Sequence, residues 1–415
     1  MNAALTRALE SGAPAAIELL ADLVRIPTVN PPGCRYAELV ALLDERCRGL
    51  GLTTKVHRVP DSRVAEVVGS ADYPRLNLVA RWDIGAPRTV HFNGHYDVVP
   101  ASGSWRFGDP FCPEVSGGSL YGRGSGDMKG SIVALLAALA GLREAGLRPA
   151  VNVECSFTAD EETGGELGAG YLVRESLIEA DCVVVCEGAA NTQVACGHNG
   201  VLWLEVEILG KAAHASRPED GVNAFEQMAA LVTGLGGYRK RLATPRRQYR
   251  DPSGTRRSPT VTLGGVFGGG PGEKVNTVPA RASFSIDRRL VPSERLGPVE
   301  TELRRALEMT AARTGARHRV RPLLRIAPCV VDPQAEVVRA FSRAVQSVRR
   351  RPVGHKVTTG FTDLHYFVEE AGLPGLGYGV KGEFAHGQDE RIRVRDLLQT
   401  ARIYAEFIAS GMTCP

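Results

Sequence analysis

The chain has 415 residues, 43% of them hydrophobic and 23% charged, with a formal net charge of +4. That length and balance suit two or three domains with sizeable cores, and so small a net charge excludes a general polyanion binder, so no nucleic-acid partner is expected. Nine cysteines, an odd number with no CxxC pair, point to reduced thiols and a cytoplasmic location rather than a disulfide framework.

The N-terminal stretch "MNAALTRALESGAPAAIELL" is amphipathic and carries acidic residues, which is not the pattern of a signal peptide. No apolar run approaches the roughly 20 residues that cross a bilayer, and the longest, "SIVALLAALAGL", reads as part of a glycine-bounded helix, so no membrane partner is expected. From 86 to 190 strands and helices alternate: strand "RTVHFNGHYDVV", glycine loop "SGGSLYGRGSGDMKG", a helix over 131–145, strand "VNVECSFTA", a helix near 167–178, then strand "DCVVVCEG", in which Cys182 and Cys186 read as small core residues. Buried apolar strands separated by helices predict an α/β domain built on a mostly parallel sheet.

From about 198 the texture changes. Strand "VLWLEVEILG", helix "NAFEQMAALVTGLGG", strands "PTVTLGGVFGG" and "ARASFSIDRR", helix "LGPVETELRRALEMTAARTG" and a closing "HRVRPLLRIA" spell β-α-β-β-α-β, an inserted ferredoxin-like α+β unit. The predicted division is therefore a discontinuous catalytic domain, 1–197 with 328–415, and an insert over 198–327. Inside the insert, residues 238–258 hold eight Lys or Arg against one Asp; they read as a solvated connection rather than a nucleic-acid patch.

Chemistry gathers at the strand ends. His95 and Asp97 in "HFNGHYDVV" are two apart, suited to a metal ligand and its orienting carboxylate or to a structural pair. Asp127 in "GRGSGDMKG" suits a ligand or a helix N-cap. Glu161 and Glu162 leave the strand before "DEETGG", and Glu187 follows "VVVC" as a ligand or a solvated acid. All lie just past the carboxyl ends of predicted parallel strands, where open α/β sheets place their ligand crevice. So many carboxylates in one place repel unless cations neutralise them. Two imidazoles and three carboxylates, one bridging, suit two zinc ions roughly 3.5–4 Å apart, and His386 in "FAHGQDE" is the best second histidine.

The ordered motifs "LLADLVRIPTVNPPG", "GHYDVVP", "LYGRGSGDMKG", "FTADEETGG", "CEG", "GKAAHASRPEDGVNA", "VNTVPA", "DRRLVP", "GFTDLHYF" and "FAHGQDE" resemble the di-zinc deacylase and exopeptidase family that includes acetylornithine deacetylase, succinyl-diaminopimelate desuccinylase, aminoacylase and glutamate carboxypeptidase. The resemblance implies two Zn(2+) per subunit, with Co(2+) or Mn(2+) able to substitute: His95, Asp127 and Glu187 on one, Asp127, Glu162 and His386 on the other. It implies Glu161 as general base toward a metal-bridged hydroxide, and Asp97 orienting His95. The insert is then a lid that also forms a homodimer, with His214 reaching the partner's active site. Arg289, Asn276, Gly360 and Thr362 become substrate contacts.

Two departures stand out. Cys-Glu-Gly replaces a frequent Gly-Glu-Pro at 186–188, and Leu364 and His365 stand where an arginine is frequent, so no acyl group is named. The expected activity is amide hydrolysis of an N-acyl-L-amino acid. A dipeptidase or carboxypeptidase using the same chemistry is the alternative, and a catalytically silent binding protein is the third reading.

Overall fold

The computed structural model describes residues 2–270, 272 and 274–412. The chain forms two compact units, one of Met1–Gly197, Val330–Thr358 and Thr362–Pro415, the other of His198–Cys329 and Thr359–Phe361.

The first unit is built on one mixed sheet. Strand Asn152–Thr158 runs parallel to Thr89–His95, which runs parallel to Cys182–Val185, which in turn runs parallel to Gly375–Gly377. This is the expected parallel sheet, and it is only the centre. Strands Leu76–Trp82 and Thr53–Arg58 extend it antiparallel on one side, and Gln193–His198 does so on the other. The two central strands are buried at every residue.

Alternation decides what each face of the sheet carries. Val90, Phe92, Val153, Cys155 and Phe157 join the apolar core with helices Gly130–Glu144 and Val394–Ser410. Helix Gly130–Glu144 is apolar nearly all round because neighbours cover it nearly all round. The stretch Ser125–Glu144, 20 residues, does have the length and composition of a membrane span, which corrects the expectation that no apolar run reaches that length; most of it is buried in this core. The opposite face carries a buried polar ladder. His91 lies 2.9 Å from Glu154 and 2.8 Å from Ser156, and Asn93 donates to Ser156 and Thr158, each at 3.1 Å. The helix expected near 167–178 is a shorter one, Ala169–Arg174.

The second unit is a four-stranded antiparallel sheet in the order Thr260–Gly269, Arg281–Leu290, Gly200–Leu209, His318–Ile326. With helices Ala224–Gly234 and Leu296–Thr314 it has the ferredoxin-like β-α-β-β-α-β order. Leu204, Val206, Phe284 and Ile286 meet Leu231, Leu303 and Leu307 in its core. The basic stretch is folded rather than loose: Arg247 pairs with Glu302 at 2.9 Å, and buried Asp251 closes a small hairpin by accepting from Thr255 N–H at 2.9 Å and Arg257 at 3.1 Å.

Candidate metal centre

Four neighbouring parallel strands deliver the candidate residues. His95 ends strand Thr89–His95; Glu161 and Glu162 follow Asn152–Thr158; Glu187 follows Cys182–Val185; the loop after Gly375–Gly377 carries His386. Asp127 sits in the turn before the buried helix, after Gly124 at φ 83°, a left-handed backbone that glycine adopts without strain.

These side chains converge. Asp127 lies between the imidazoles, Oδ1 3.1 Å from His95 Nε2 and Oδ2 3.2 Å from His386 Nε2. Glu162 Oε2 is 3.0 Å from the same His386 nitrogen. Ligand atoms of His95, Glu161 and Glu187, and likewise of His95, Asp127 and Glu162, lie within 4.8 Å of one another. Glu161, read from the sequence as a base, thus stands inside the cluster, 3.8 Å from His95 Nε2.

The protein's own groups leave the cluster unsatisfied. Among the described residues, buried Glu162 Oε1 and Glu187 Oε1 have no hydrogen-bond partner. Burial and the charge of Glu187 push the Glu161 carboxyl well above the ordinary range. Burial does the same to Glu187, with Asp127 adding to it and His95 opposing, and burial and Asp127 raise Glu162. Asp127 itself is held low: burial works against its charge, but His386 and His95 outweigh it. Orphaned carboxylate oxygens beside two imidazoles fit divalent cations, which supply the missing partners and charge.

Three supports were not legible as such. Asp97 does more than sit beside His95, 3.5 Å from its Nδ1: its carboxylate accepts the N–H groups of Glu161 and Glu162, each at 3.2 Å, and so aims both glutamates. Asp160, which from the sequence joins the same acidic run, faces away from the cluster. Its backbone is left-handed at φ 63°, and its carboxylate takes bonds from buried Arg75 at 2.6 Å, Tyr36 at 2.8 Å and Asn30 at 3.1 Å. Glu390 accepts the N–H groups of Gly124, Gly126 and Asp127 at 2.8–3.0 Å, while Arg123 pairs with it at 2.6 Å and donates to His386 O at 3.2 Å. The Arg123–Glu390 pair therefore ties the Asp127 turn to the His386 loop. Glu390 closes the motif "FAHGQDE", the one signal that pointed to it. Nothing in the sequence marks Arg75.

The remaining predicted residues are placed as follows. Thr362 is buried, and its hydroxyl accepts the Leu364 N–H at 3.2 Å; Asp363 beside it is buried, with burial lifting its carboxyl to about 7, against the pull of His95. Leu364 is buried, and so is His365, whose Nδ1 lies 2.9 Å from Thr362 O. Gly360, His214, Asn276 and Arg289 belong to the second unit. His214 is exposed, and its Nδ1 lies 2.7 Å from Ser216 Oγ and 3.2 Å from the Ser216 backbone nitrogen. The segments of His214 and Asn276 are joined, His214 pairing with Thr277 and Ala215 N–H donating to Asn276 O at 3.0 Å. Arg288 and Arg289 point to opposite faces of their strand. Arg288 is buried against Glu294 at 2.6 Å, whereas Arg289 lies on the helix-free face, chelated by Asp287 at 2.8 and 2.9 Å.

Comparison with known proteins places the chain in a family. Residues 91–410 match the model of Peptidase family M20/M25/M40. The chain is 28% identical over 402 residues to a succinyl-diaminopimelate desuccinylase of Dinoroseobacter shibae, covering 94% of this chain and 98% of that one. It is 30% identical over 315 residues to an acetylornithine deacetylase of Proteus mirabilis, covering 75% and 76%. Its fold is similar to that of an M20 family metallo-carboxypeptidase from Sulfolobus solfataricus, with a TM-score of 0.76 at 19% identity over 95% of this chain and 98% of that one.

Proposed function

The chain belongs to peptidase family M20/M25/M40 and is a metallohydrolase of amide or peptide bonds, and we propose that it uses two divalent ions to release an amino acid from an N-acyl-L-amino acid. The observation that carries the reading is the convergence of His95, Asp127, Glu162 and His386 around two buried, unpartnered oxygens on Glu162 and Glu187.

His95, Asp127 and Glu187 would hold one ion and Asp127, Glu162 and His386 the other, with Asp127 shared. When bound, the ions, zinc first and cobalt or manganese as substitutes, polarise the amide carbonyl and lower the pKa of a water toward about 7. Glu161 takes the proton of the attacking water and delivers it to the leaving amine. Asp97 fixes the imidazole of His95 and, through two N–H groups, the directions of Glu161 and Glu162.

In this reading the second unit is a lid and the contact of a homodimer. What supports a dimer is apolar exposure on that unit: Val266 and Phe267 on its edge strand are 73% and 74% exposed. His214 donates to the oxyanion in the partner's site. Arg289, Asn276, Gly360 and Thr362 hold the substrate. Eight described cysteines as free thiols support a cytoplasmic location.

The test is a panel on metal-loaded protein, comparing kcat/KM for N-acyl amino acids and for dipeptides. Higher values for the N-acyl amino acids support the reading. A preference for dipeptides turns it into a peptidase, and no hydrolysis of any amide rejects it.

A further inference from the structure

A small sheet of the first unit joins strands Gly382–Glu383, Arg391–Arg393, Ser119–Tyr121 and Glu114–Ser116 in that order. Successive residues alternate between its faces. Ile392 and Leu120 are buried beneath it, so Arg391 and Arg393 share the outer face with Tyr121 and Ser119, their neighbours on the next strand. A cavity of about 470 Å³ opens there, walled by Arg391, Arg393, Arg395, Glu383 and Tyr121 among others. None of its wall residues belongs to the metal centre.

The walls carry more positive charge than their neighbours match. Glu383 is the one acid among them, and it is shared by Arg391 at 2.9 Å and Arg393 at 3.3 Å. Arg391 is further held between two rings, 5.2 Å from the centre of Tyr121 and 4.8 Å from that of Phe384. Arg395 is exposed and comes no closer than 4.0 Å to buried Asp396, which Arg349 approaches at 3.7 Å. Glu114, across from Tyr121 on the outermost strand, pairs with none of these arginines among the described residues. Three guanidinium groups thus share one wall carboxylate, a surplus of about two charges.

A phosphate monoester matches that surplus. It carries about −1.5 to −2 near pH 7 on three acceptor oxygens, and the guanidinium fork bonds two such oxygens at once. At about 30 Å³ per water in the liquid, the cavity holds roughly fifteen non-hydrogen atoms, a phosphoryl group and part of the molecule that bears it. We propose that Arg391, Arg393 and Arg395 form a binding site for a phosphorylated small molecule, separate from the metal centre, with the phosphoryl group on the guanidinium groups and Tyr121 beside the rest.

The experiment is calorimetry on the full-length, metal-loaded protein with AMP, ribose 5-phosphate and adenosine as probes. Both phosphate esters should bind at least about tenfold tighter than adenosine, which lacks the charge. Equal affinity for the two esters identifies a site that takes sugar phosphates, whereas tighter AMP identifies a nucleotide site in which the base stacks on Tyr121. R393Q/R395Q should weaken both esters by about tenfold or more. Glu383→Gln removes the one competing acid and should tighten them by about threefold, a gain that damage to the fold does not produce. Adenosine binding as tightly as AMP, or no ester binding at about 10 mM, overturns the proposal. So does ester binding that R393Q/R395Q leaves unchanged, as esters held by the metal ions would be, or that Glu383→Gln fails to tighten.

Discussion

Arg75 Nε donates to Asp160 Oδ2 at 2.6 Å, and both side chains are buried. The pair fixes the residue immediately before Glu161, so its effect should reach the metal centre without touching it. Removing one partner strands the other charge, at a cost of about 3–5 kcal/mol. Arg75→Met should therefore lower stability by about that amount and weaken divalent-ion binding, as read by urea unfolding and metal titration. An Arg75→Met protein with unchanged stability would show that the pair does not hold the loop.

The two adjacent glutamates should separate by phenotype. Glu161→Gln should keep metal content close to wild type while kcat falls by about 10² to 10⁴, whereas Glu162→Gln should lose metal affinity first. Metal analysis alongside kinetics checks both. Because Glu161 stands 3.8 Å from His95 Nε2, within the cluster, metal loss in Glu161→Gln would move it from base to ligand.

That division also shows what the sequence could and could not tell. His95, Asp127, Glu162, Glu187 and His386 were legible because each ends an apolar run or sits in a glycine-rich turn, where a charged residue lacks a packing explanation. In "ADEETGG" three acids look alike, and only the left-handed backbone at Asp160 turns that side chain toward Arg75. Strand direction was not legible either: Leu76–Trp82 and Gln193–His198 are short apolar runs whose antiparallel pairing depends on partners far along the chain. His91 and Asn93 interrupt the apolar pattern of "HFNGH", and they are buried because Glu154, Ser156 and Thr158 satisfy them. Arg288 and Arg289 became distinguishable only when the strand register put one against the helices.

His365 gives the stability a pH dependence of known sign. Burial, reinforced by Arg174 and opposed by its bond to Thr362 O, lowers its pKa to about 4, against about 6.5 in an unfolded chain. The unfolded state therefore binds the proton first as pH falls, and folding loses stability between about pH 6.5 and 4. At about 1.4 kcal/mol per pKa unit, this group removes about 2 kcal/mol by pH 5. Urea midpoints at pH 7 and pH 5 should show a shallower fall in His365→Asn than in wild type. An equal fall would assign the slope to other groups.

The cross-subunit role proposed for His214 has its own test. Glu161→Ala and His214→Ala, each inactive alone, are mixed under conditions that exchange subunits. Half the dimers are then mixed, and each has one site with both an intact Glu161 and a partner's intact His214. About a quarter of wild-type activity should return. No recovery, with exchange confirmed by mass spectrometry, would place His214 at its own subunit's site or outside catalysis.

The central claim is that the five converging side chains bind the ions that do the work, and counting those ions tests it most directly. Protein purified without chelator, analysed by mass spectrometry of its metals while its amide hydrolysis is followed, should contain about two divalent ions per chain. A chelator should abolish activity and added zinc should restore it, while Glu187→Gln and His386→Ala should each reduce the count. Full hydrolysis by protein that contains no metal would contradict the account.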